Sequence, residues 1–328
     1  MAELNILEAI RSAMDEEMER DERVMVLGED VGRKGGVFGA TEGLWAKYGD
    51  RRVLDTPLTE GMIAGAAMGA AVYGLRPIAE MQFADFVYPA FNQIVSEISR
   101  IHYRSNGTFT VPMVIRMPYG GGVHGALYHS QSNETYFTST VGLKVVAPGT
   151  PADAKGLLKS SIRDGDPVMF FEHKKTYRLF KAEVPDGDTV VPIGKAAVAR
   201  EGRDLSIFCY GFMRTCALEA AETLAREDGV EAEVVDLRTL RPLDLDTILA
   251  SVAKTGKALV VHEANRFGGF GAEIAAEISE KGFEHLDGPV TRLAGPEVPG
   301  VPYHHALEDW FMIGPARIVD AARTLAAY

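Results

Sequence analysis

Two doubly wound α/β domains are the fold class that this 328-residue sequence predicts. Three observations predict it. Short apolar runs alternate with helical patterns over residues 4–171, which implies a mostly parallel sheet covered on both faces. Glu29, Gln82, the 118–132 loop and Glu172 each come just after such a run, at the edge where open α/β sheets bind ligands. The chain changes character at 182–204, where Val184-Pro185-Asp186-Gly187-Asp188 precede Pro192, Gly194 and Gly202, and a second strand–helix alternation follows. A chain of this length is too long for one ordinary core. The expected organisation is an α/β domain over 1–184, a linker over 185–203 and a carboxy-terminal α/β domain over 204–328.

Residues 4–20 place Leu4, Leu7, Ile10, Met14 and Met18 at helical spacing, with acids on the other side. Val24-Met25-Val26-Leu27 is a buried strand with Gly28-Glu29-Asp30 at its carboxyl end, and a glycine-rich loop runs from there to 55. Asp55-Thr56-Pro57-Leu58-Thr59-Glu60 starts as a turn; Pro57 stiffens the entry and Thr59 suits a helix N-cap. In the helix that follows, Gly61, Gly65 and Gly69 share one face. Glycine weakens a helix by about 1 kcal/mol relative to alanine, so three in register imply close approach of another backbone. Glu60 is the only charge on this helix. It is either a solvated first-turn acid or a buried acid at a helix seam; the helix dipole favours the anion and burial the protonated acid.

A strand follows around Pro77–Met81, then a long amphipathic helix over 86–104 through Phe91, Ile94, Val95, Ile98 and Ile101. Val111–Met117 reads as a strand, 118–140 as an extended loop, Val145-Val146 as a strand, 151–163 as a helix and Val168–Phe171 as a strand. The second half carries strands at Leu205–Tyr210, Glu233–Asp236 and Ala258–His262, with helices at 213–227, 244–254, 271–281 and 315–326.

A net charge of −12 argues against nucleic acid or an anionic membrane as the main partner and suits a basic protein partner. Cys209 and Cys216 both fall in buried-looking segments, which favours a reducing compartment without a disulfide framework. No secretory signal is visible, and the weakly charged stretch 61–75 is too short to span a bilayer. The expectation is a soluble, cytoplasmic protein.

The 118–132 loop carries Gly120 to Gly122, which permit unusual backbone angles or close approach to a ligand. Its His124 and His129 suit a general acid/base pair, metal ligands or a structural role; no further Cys, His or Glu stands at an accepted zinc spacing. The glycines at 32–39 form no dinucleotide or Walker phosphate loop. Asp164-Gly165-Asp166 and Asp186-Gly187-Asp188 are most simply turns, and Gly268-Gly269-Phe270-Gly271 before a helix suits turn chemistry, with an anion nest as the alternative.

Taken together, the segments Gly28-Glu29-Asp30-Val31, Asp55 to Glu60, Gln82-Phe83-Ala84-Asp85-Phe86, Pro89 to Val95, His129-Ser130-Gln131-Ser132, Gly142 to Val146 and Asp236 to Leu240 carry a resemblance. They resemble the β subunit of the thiamine-diphosphate-dependent decarboxylase component of 2-oxoacid dehydrogenase complexes, across essentially the whole chain. The resemblance implies a transketolase-like architecture, a pyrimidine-binding domain followed by a carboxy-terminal domain, in an α2β2 heterotetramer with the cofactor between subunits. The family's Gly-Asp-Gly…Asn diphosphate and magnesium motif is absent here, so the α subunit is expected to hold the magnesium. The resemblance puts Glu60 at the pyrimidine ring nitrogen and Phe86, where the family usually has tyrosine, in stacking contact with that ring. It puts Gln82 and the Leu58 backbone in the same pocket, Glu29 in the proton network, and His129 at the 2-oxoacid adduct or acyl transfer to lipoyl. A potassium site of main-chain carbonyls is also implied, by position Val111, Met113, Ser161, Asp164 and Asp166.

The run His124 to Ser132 looks most like the branched-chain members, with pyruvate or acetoin as the alternative substrate. The implied partners besides the α subunit are the lipoyl and subunit-binding domains of the acyltransferase core. In a eukaryote, after processing, the compartment would be the mitochondrial matrix. A non-catalytic assembly subunit is the alternative of another class.

Overall fold

The computed structural model describes residues 1–328 and divides into two compact units: Met1–Tyr119 with Tyr136–Ile193, and Gly120–Thr135 with Gly194–Tyr328. No helix is long and apolar enough to cross a membrane.

The first unit runs β1 (Ala2–Leu4), α1 (Ile6–Arg20), β2 (Val24–Gly28), α2 (Leu44–Tyr48), β3 (Val53–Asp55), α3 (Glu60–Val72), β4 (Arg76–Glu80), α4 (Ile101–Arg104), β5 (Val114–Tyr119), α5 (Thr135–Thr138), β6 (Lys144–Val146), α6 (Pro151–Arg163), β7 (Val168–His173) and β8 (Ala182–Val184). Its main sheet has the order β6-β7-β5-β4-β2-β3 with every pair parallel, while β1 and β8 form a small antiparallel ribbon. Because the strands are parallel, their carboxyl ends share one edge. The starting helix is well specified: the Asn5 side chain accepts from the Glu8 N–H at 2.9 Å and Glu8 accepts from the Asn5 N–H at 2.9 Å, a reciprocal cap. Ile10 and Met14 of α1 then pack with Val26, Ile78, Leu157 and Phe170 in one core.

Several local expectations change. The stretch read as a loop up to 55 contains α2 and the edge strand β3. The 86–104 stretch is not one α-helix but a 3-10 segment Ala84–Ala90, a π segment Gln93–Ile98 and the short α4. Pro89 lacks the N–H that an α-ladder needs there, and the Ser99 hydroxyl bonds the Val95 carbonyl at 2.9 Å in competition with the ladder. Thr59 holds the N-cap position of α3 but its side chain makes no capping bond. Its backbone N–H bonds the Glu29 carboxylate. Of the three glycines in register, only Gly61 meets a close backbone, with room for a Cβ limited by the Pro89 carbonyl at 3.1 Å; nothing lies within 4 Å at Gly65 or Gly69. The helix buries Ile63, Ala64, Ala67 and Ala71, which leaves that part of the glycine face open.

The second unit contains β9 (Ala197–Arg200), β10 (Leu205–Cys209), α7 (Phe212–Asp228), β11 (Ala232–Asp236), β12 (Thr239–Arg241), α8 (Leu245–Thr255), β13 (Ala258–Asn265), α9 (Gly271–Lys281), β14 (Thr291–Gly295), α10 (His305–Phe311) and α11 (Pro315–Ala326). Its five-stranded sheet is ordered β14-β13-β10-β11-β9, parallel except where β9 joins β11. The stretch read as a linker thus supplies an edge strand. Its core joins Ile207, Val234 and Leu259 of the sheet to Phe311, Ile318 and Leu325. Both cysteines are buried and free. Residues 120–135 cluster with this unit although the chain returns afterwards to the first.

Candidate active site

At the carboxyl edge of the first sheet two acids are buried together. Glu29 follows β2 and Glu60 opens α3, at 5% and 7% exposure. Burial raises the Glu29 pKa, the neighbouring Glu60 charge raises it further, and the Thr59 N–H offsets part of the rise. One Glu29 oxygen, Oε1, is buried with no hydrogen-bond partner, and so is the Thr56 hydroxyl. An unsatisfied buried carboxylate oxygen is costly, so this one is placed for a donor that the chain itself does not provide. Gln82, just after β4, sends Nε2 to the Glu29 main-chain carbonyl at 3.5 Å. The Phe86 ring meets Phe83 edge-on at 5.3 Å, and Phe83 meets Phe38 in the same way at 5.5 Å. Leu58 is 79% exposed on the turn ahead of α3. The fold therefore brings Glu29, Gln82, Glu60 and the turn at 56–58 to one edge.

Beneath that edge lies a buried charge network that sequence reasoning missed. Arg116 on β5 forks onto Glu172, Nε to Oε1 at 2.6 Å and Nη2 to Oε2 at 2.9 Å, and sends Nη1 to Glu80 Oε2 at 2.8 Å. The Tyr177 hydroxyl donates to Glu172 Oε2 at 2.6 Å. Burial, the first cause, raises the Glu80 pKa, and Arg116 works against it. The signal was available: Glu80, Arg116 and Glu172 are charges inside otherwise apolar strands, and buried charges must be paired.

His129 lies in the 120–135 segment of the second unit. The loop closes on itself: Gly120 N–H donates to the Gln131 carbonyl at 3.1 Å and Gln131 Nε2 to the Leu127 carbonyl at 2.8 Å. His124 and Ala126 both sit in left-handed backbone, with φ of 57° and 56°. A Cβ on Gly125 between them would come within 2.9 Å of the His129 Cβ, so only glycine fits there. His124 has partners in the carboxy-terminal part of the chain. Its Nδ1 stands against Glu308 and its Nε2 bonds His305 Nδ1 at 3.0 Å.

Comparison with known proteins decides the family. Residues 2–179 match the transketolase pyrimidine-binding domain and residues 194–318 the transketolase carboxy-terminal domain. The chain is 57% identical, over the full length of both, to the 2-oxoisovalerate dehydrogenase subunit beta of Bacillus subtilis. The chain belongs to the β-subunit family of the 2-oxoacid dehydrogenases. This β subunit is also 47% identical to the 2-oxoisovalerate dehydrogenase subunit beta of Pseudomonas aeruginosa, over 96% of this chain and 93% of that one. It is 49% identical to the pyruvate dehydrogenase E1 component subunit beta of Bacillus subtilis, over 94% and 95%. Among solved structures it resembles a split-gene transketolase described as an inactive β4 tetramer, with TM-score 0.81, 23% identity and 99% of each chain covered, which shows the fold alone.

Within the β subunit, three of the carbonyls implied for potassium already accept hydrogen bonds. The Met113 carbonyl accepts the Val168 N–H at 3.0 Å, and that of Ser161 accepts the Asp164 N–H at 3.4 Å. Arg76 Nη1 donates to the Ile162 carbonyl at 2.7 Å and to that of Asp164 at 3.1 Å. Lys144 Nζ holds the Asp164 carboxylate at 2.7 Å and stands 3.2 Å from that of Asp166.

Proposed function

We propose that this β subunit works with an α subunit in the oxidative decarboxylation of branched-chain 2-oxoacids, with acyl transfer to lipoyl groups of an acyltransferase core. One observation carries the substrate class: identity to the Bacillus subtilis 2-oxoisovalerate subunit is 57%, against 49% to the pyruvate subunit of the same organism. The run from His124 to Ser132 supports the same reading.

Thiamine diphosphate, the cofactor of this family, supplies a carbon nucleophile and an electron sink when bound. The orphaned Oε1 of Glu29 fits it, since a polar heterocycle would bring the donor that this oxygen lacks, and the buried carboxyl of Glu60 stands at the same edge. In this reading Glu60 holds a proton at the pyrimidine ring nitrogen, and Glu29, its pKa raised, exchanges protons with Glu60. Phe86 stacks on the pyrimidine face. The Leu58 main chain and Gln82 line the pocket, and His129 serves the acyl-transfer step. Two buried acids kept side by side favour this over a non-catalytic assembly subunit, in which their desolvation would serve nothing.

The magnesium and the diphosphate go to the α subunit in an α2β2 heterotetramer, because this chain has no Gly-Asp-Gly…Asn motif. The potassium site fits poorly. Arg76 already places a guanidinium on the Asp164 carbonyl, and Lys144 a second cation beside it. The net charge of −12 suits docking to a basic subunit-binding domain of the core, where opposite charge speeds encounter.

The test is kcat/KM of the reconstituted α/β assembly for 2-oxoisovalerate against pyruvate. A pocket that discriminates by a methylene or two is worth about 1–3 kcal/mol, so at least a tenfold preference for the branched acid is expected. A preference for pyruvate would reverse the assignment.

A further inference from the structure

The 120–132 loop is gripped by two buried carboxylates from elements far away in sequence. Glu263, on β13 and 4% exposed, accepts the Gly121 N–H at 2.7 Å and the Ser132 hydroxyl at 3.0 Å, and so ties the two limbs of the loop together. Glu308, on α10 and 1% exposed, directs both oxygens at the same loop. Its Oε1 accepts the Gly122 N–H at 2.8 Å and the His124 N–H at 3.2 Å, while Oε2 stands against His124 Nδ1. Met312, just beyond α10, closes the space above Gly121, where a Cβ would lie 2.8 Å from its sulfur.

We infer that Glu308 is a positioning residue for His129, acting through the backbone of residues 122–125. The path is short and physical. Glu308 sets the amides of Gly122 and His124, and His124 is held in a left-handed conformation that a non-glycine residue adopts only when its surroundings impose it. Gly125 follows directly and packs against the His129 Cβ and carbonyl with no room for a side chain, the would-be Cβ lying 2.9 and 2.8 Å from them. A displacement of residues 122–124 therefore moves His129, whose orientation must be held closely to serve acyl transfer. His305 extends the grip outward through its bond to His124. This rests on the acyl-transfer role proposed for His129.

The experiment is a double-mutant cycle in the assembled α/β enzyme, with reductive acylation of a free lipoyl domain as the rate and amide hydrogen exchange as the second readout. Glu308→Ala should speed exchange at Gly122 and His124 and lower kcat for acyl transfer about tenfold, with KM for the 2-oxoacid unchanged. In a His129→Ala background the same substitution should cost less than twofold, because both changes remove one function. Glu308→Gln keeps the volume and one acceptor oxygen for the two amides. It should recover most of the loss, and it runs the same cycle if the alanine variant does not assemble. Unchanged exchange, or losses that multiply independently while His129→Ala alone is impaired, would overturn the role of Glu308. A His129→Ala enzyme that acylates lipoyl at the wild-type rate would instead overturn the His129 reading, and with it the catalytic consequence of the grip.

Discussion

Burial of Glu134 and of His262 makes the stability of the second unit depend on pH in opposite directions. Burial pushes Glu134 up to about 7 from the ordinary 4.5, and its bond from the Tyr210 hydroxyl at 2.5 Å offsets only part of this. Between those values the unfolded chain has already lost the proton that the native protein keeps, so this contribution to stability falls as pH rises. Burial pushes His262 down to about 4 from 6.5, with Arg292 adding to the effect. As pH drops through that window the unfolded chain gains a proton that the native protein refuses, so this contribution falls toward acid. From pH 4.5 to 6.5 the two slopes oppose each other, each of about 1 kcal/mol per pH unit. Glu134→Gln should unmask the histidine: its urea midpoint rises more steeply than wild type between pH 5 and 6.5. A pH slope identical to wild type would mean that Glu134 ionises in the native protein at its ordinary value. Glu60 calls for a different measurement. Glu60→Gln keeps shape but cannot exchange a proton with a ring nitrogen, so loss of acid/base help should slow deprotonation of the bound cofactor about 10²–10⁴-fold. Deuterium exchange at the cofactor's acidic carbon in the assembled enzyme reads this, and an unchanged rate would return Glu60 to a structural role.

The glycine helix α3 shows how an element can be built for something other than its own stability. Gly61 is explained inside the unit by the Pro89 carbonyl. At Gly65 and Gly69 an added methyl would meet nothing within 4 Å, and helical glycine costs about 1 kcal/mol relative to alanine. The isolated β chain should therefore gain stability from Gly65→Ala and Gly69→Ala, up to about 1 kcal/mol each by urea unfolding. If this face packs against another subunit, the same substitutions should weaken assembly with the α chain, read by sedimentation. Stabilised chains that assemble normally would leave the two glycines without a packing reason.

At the scale of the whole molecule, the proposed function has the β chain offer acids and an aromatic ring to the cofactor and leave the diphosphate to the α subunit, because the chain has no Gly-Asp-Gly…Asn motif. Calorimetry should show no micromolar, magnesium-dependent thiamine diphosphate binding by this chain alone, and such binding once the α subunit is added. Tight binding by the β chain by itself would place a phosphate site here that its motifs do not show.

The alternation of strands and helices, the polar residues after strand ends and the ordered motif blocks were legible in the sequence, because backbone periodicity and short local patterns carry them. β2, β4, β5, β6 and β7 of the first sheet and α1, α6, α7, α8, α9 and α11 fall where the apolar spacing puts them, whereas β3 lies in the stretch read as a loop. The 86–104 stretch was misread since its apolar spacing is helical while Pro89 and Ser99 disturb the hydrogen-bond ladder. Tertiary structure alone decided that Glu60 is buried beside Glu29, that Arg116 bridges Glu80 and Glu172, and that His124 belongs with Glu308 and His305. Each of these joins residues from separate elements, and no local pattern states which buried charge meets which. The desolvation that sets their chemistry exists only once each unit has folded around its own charges.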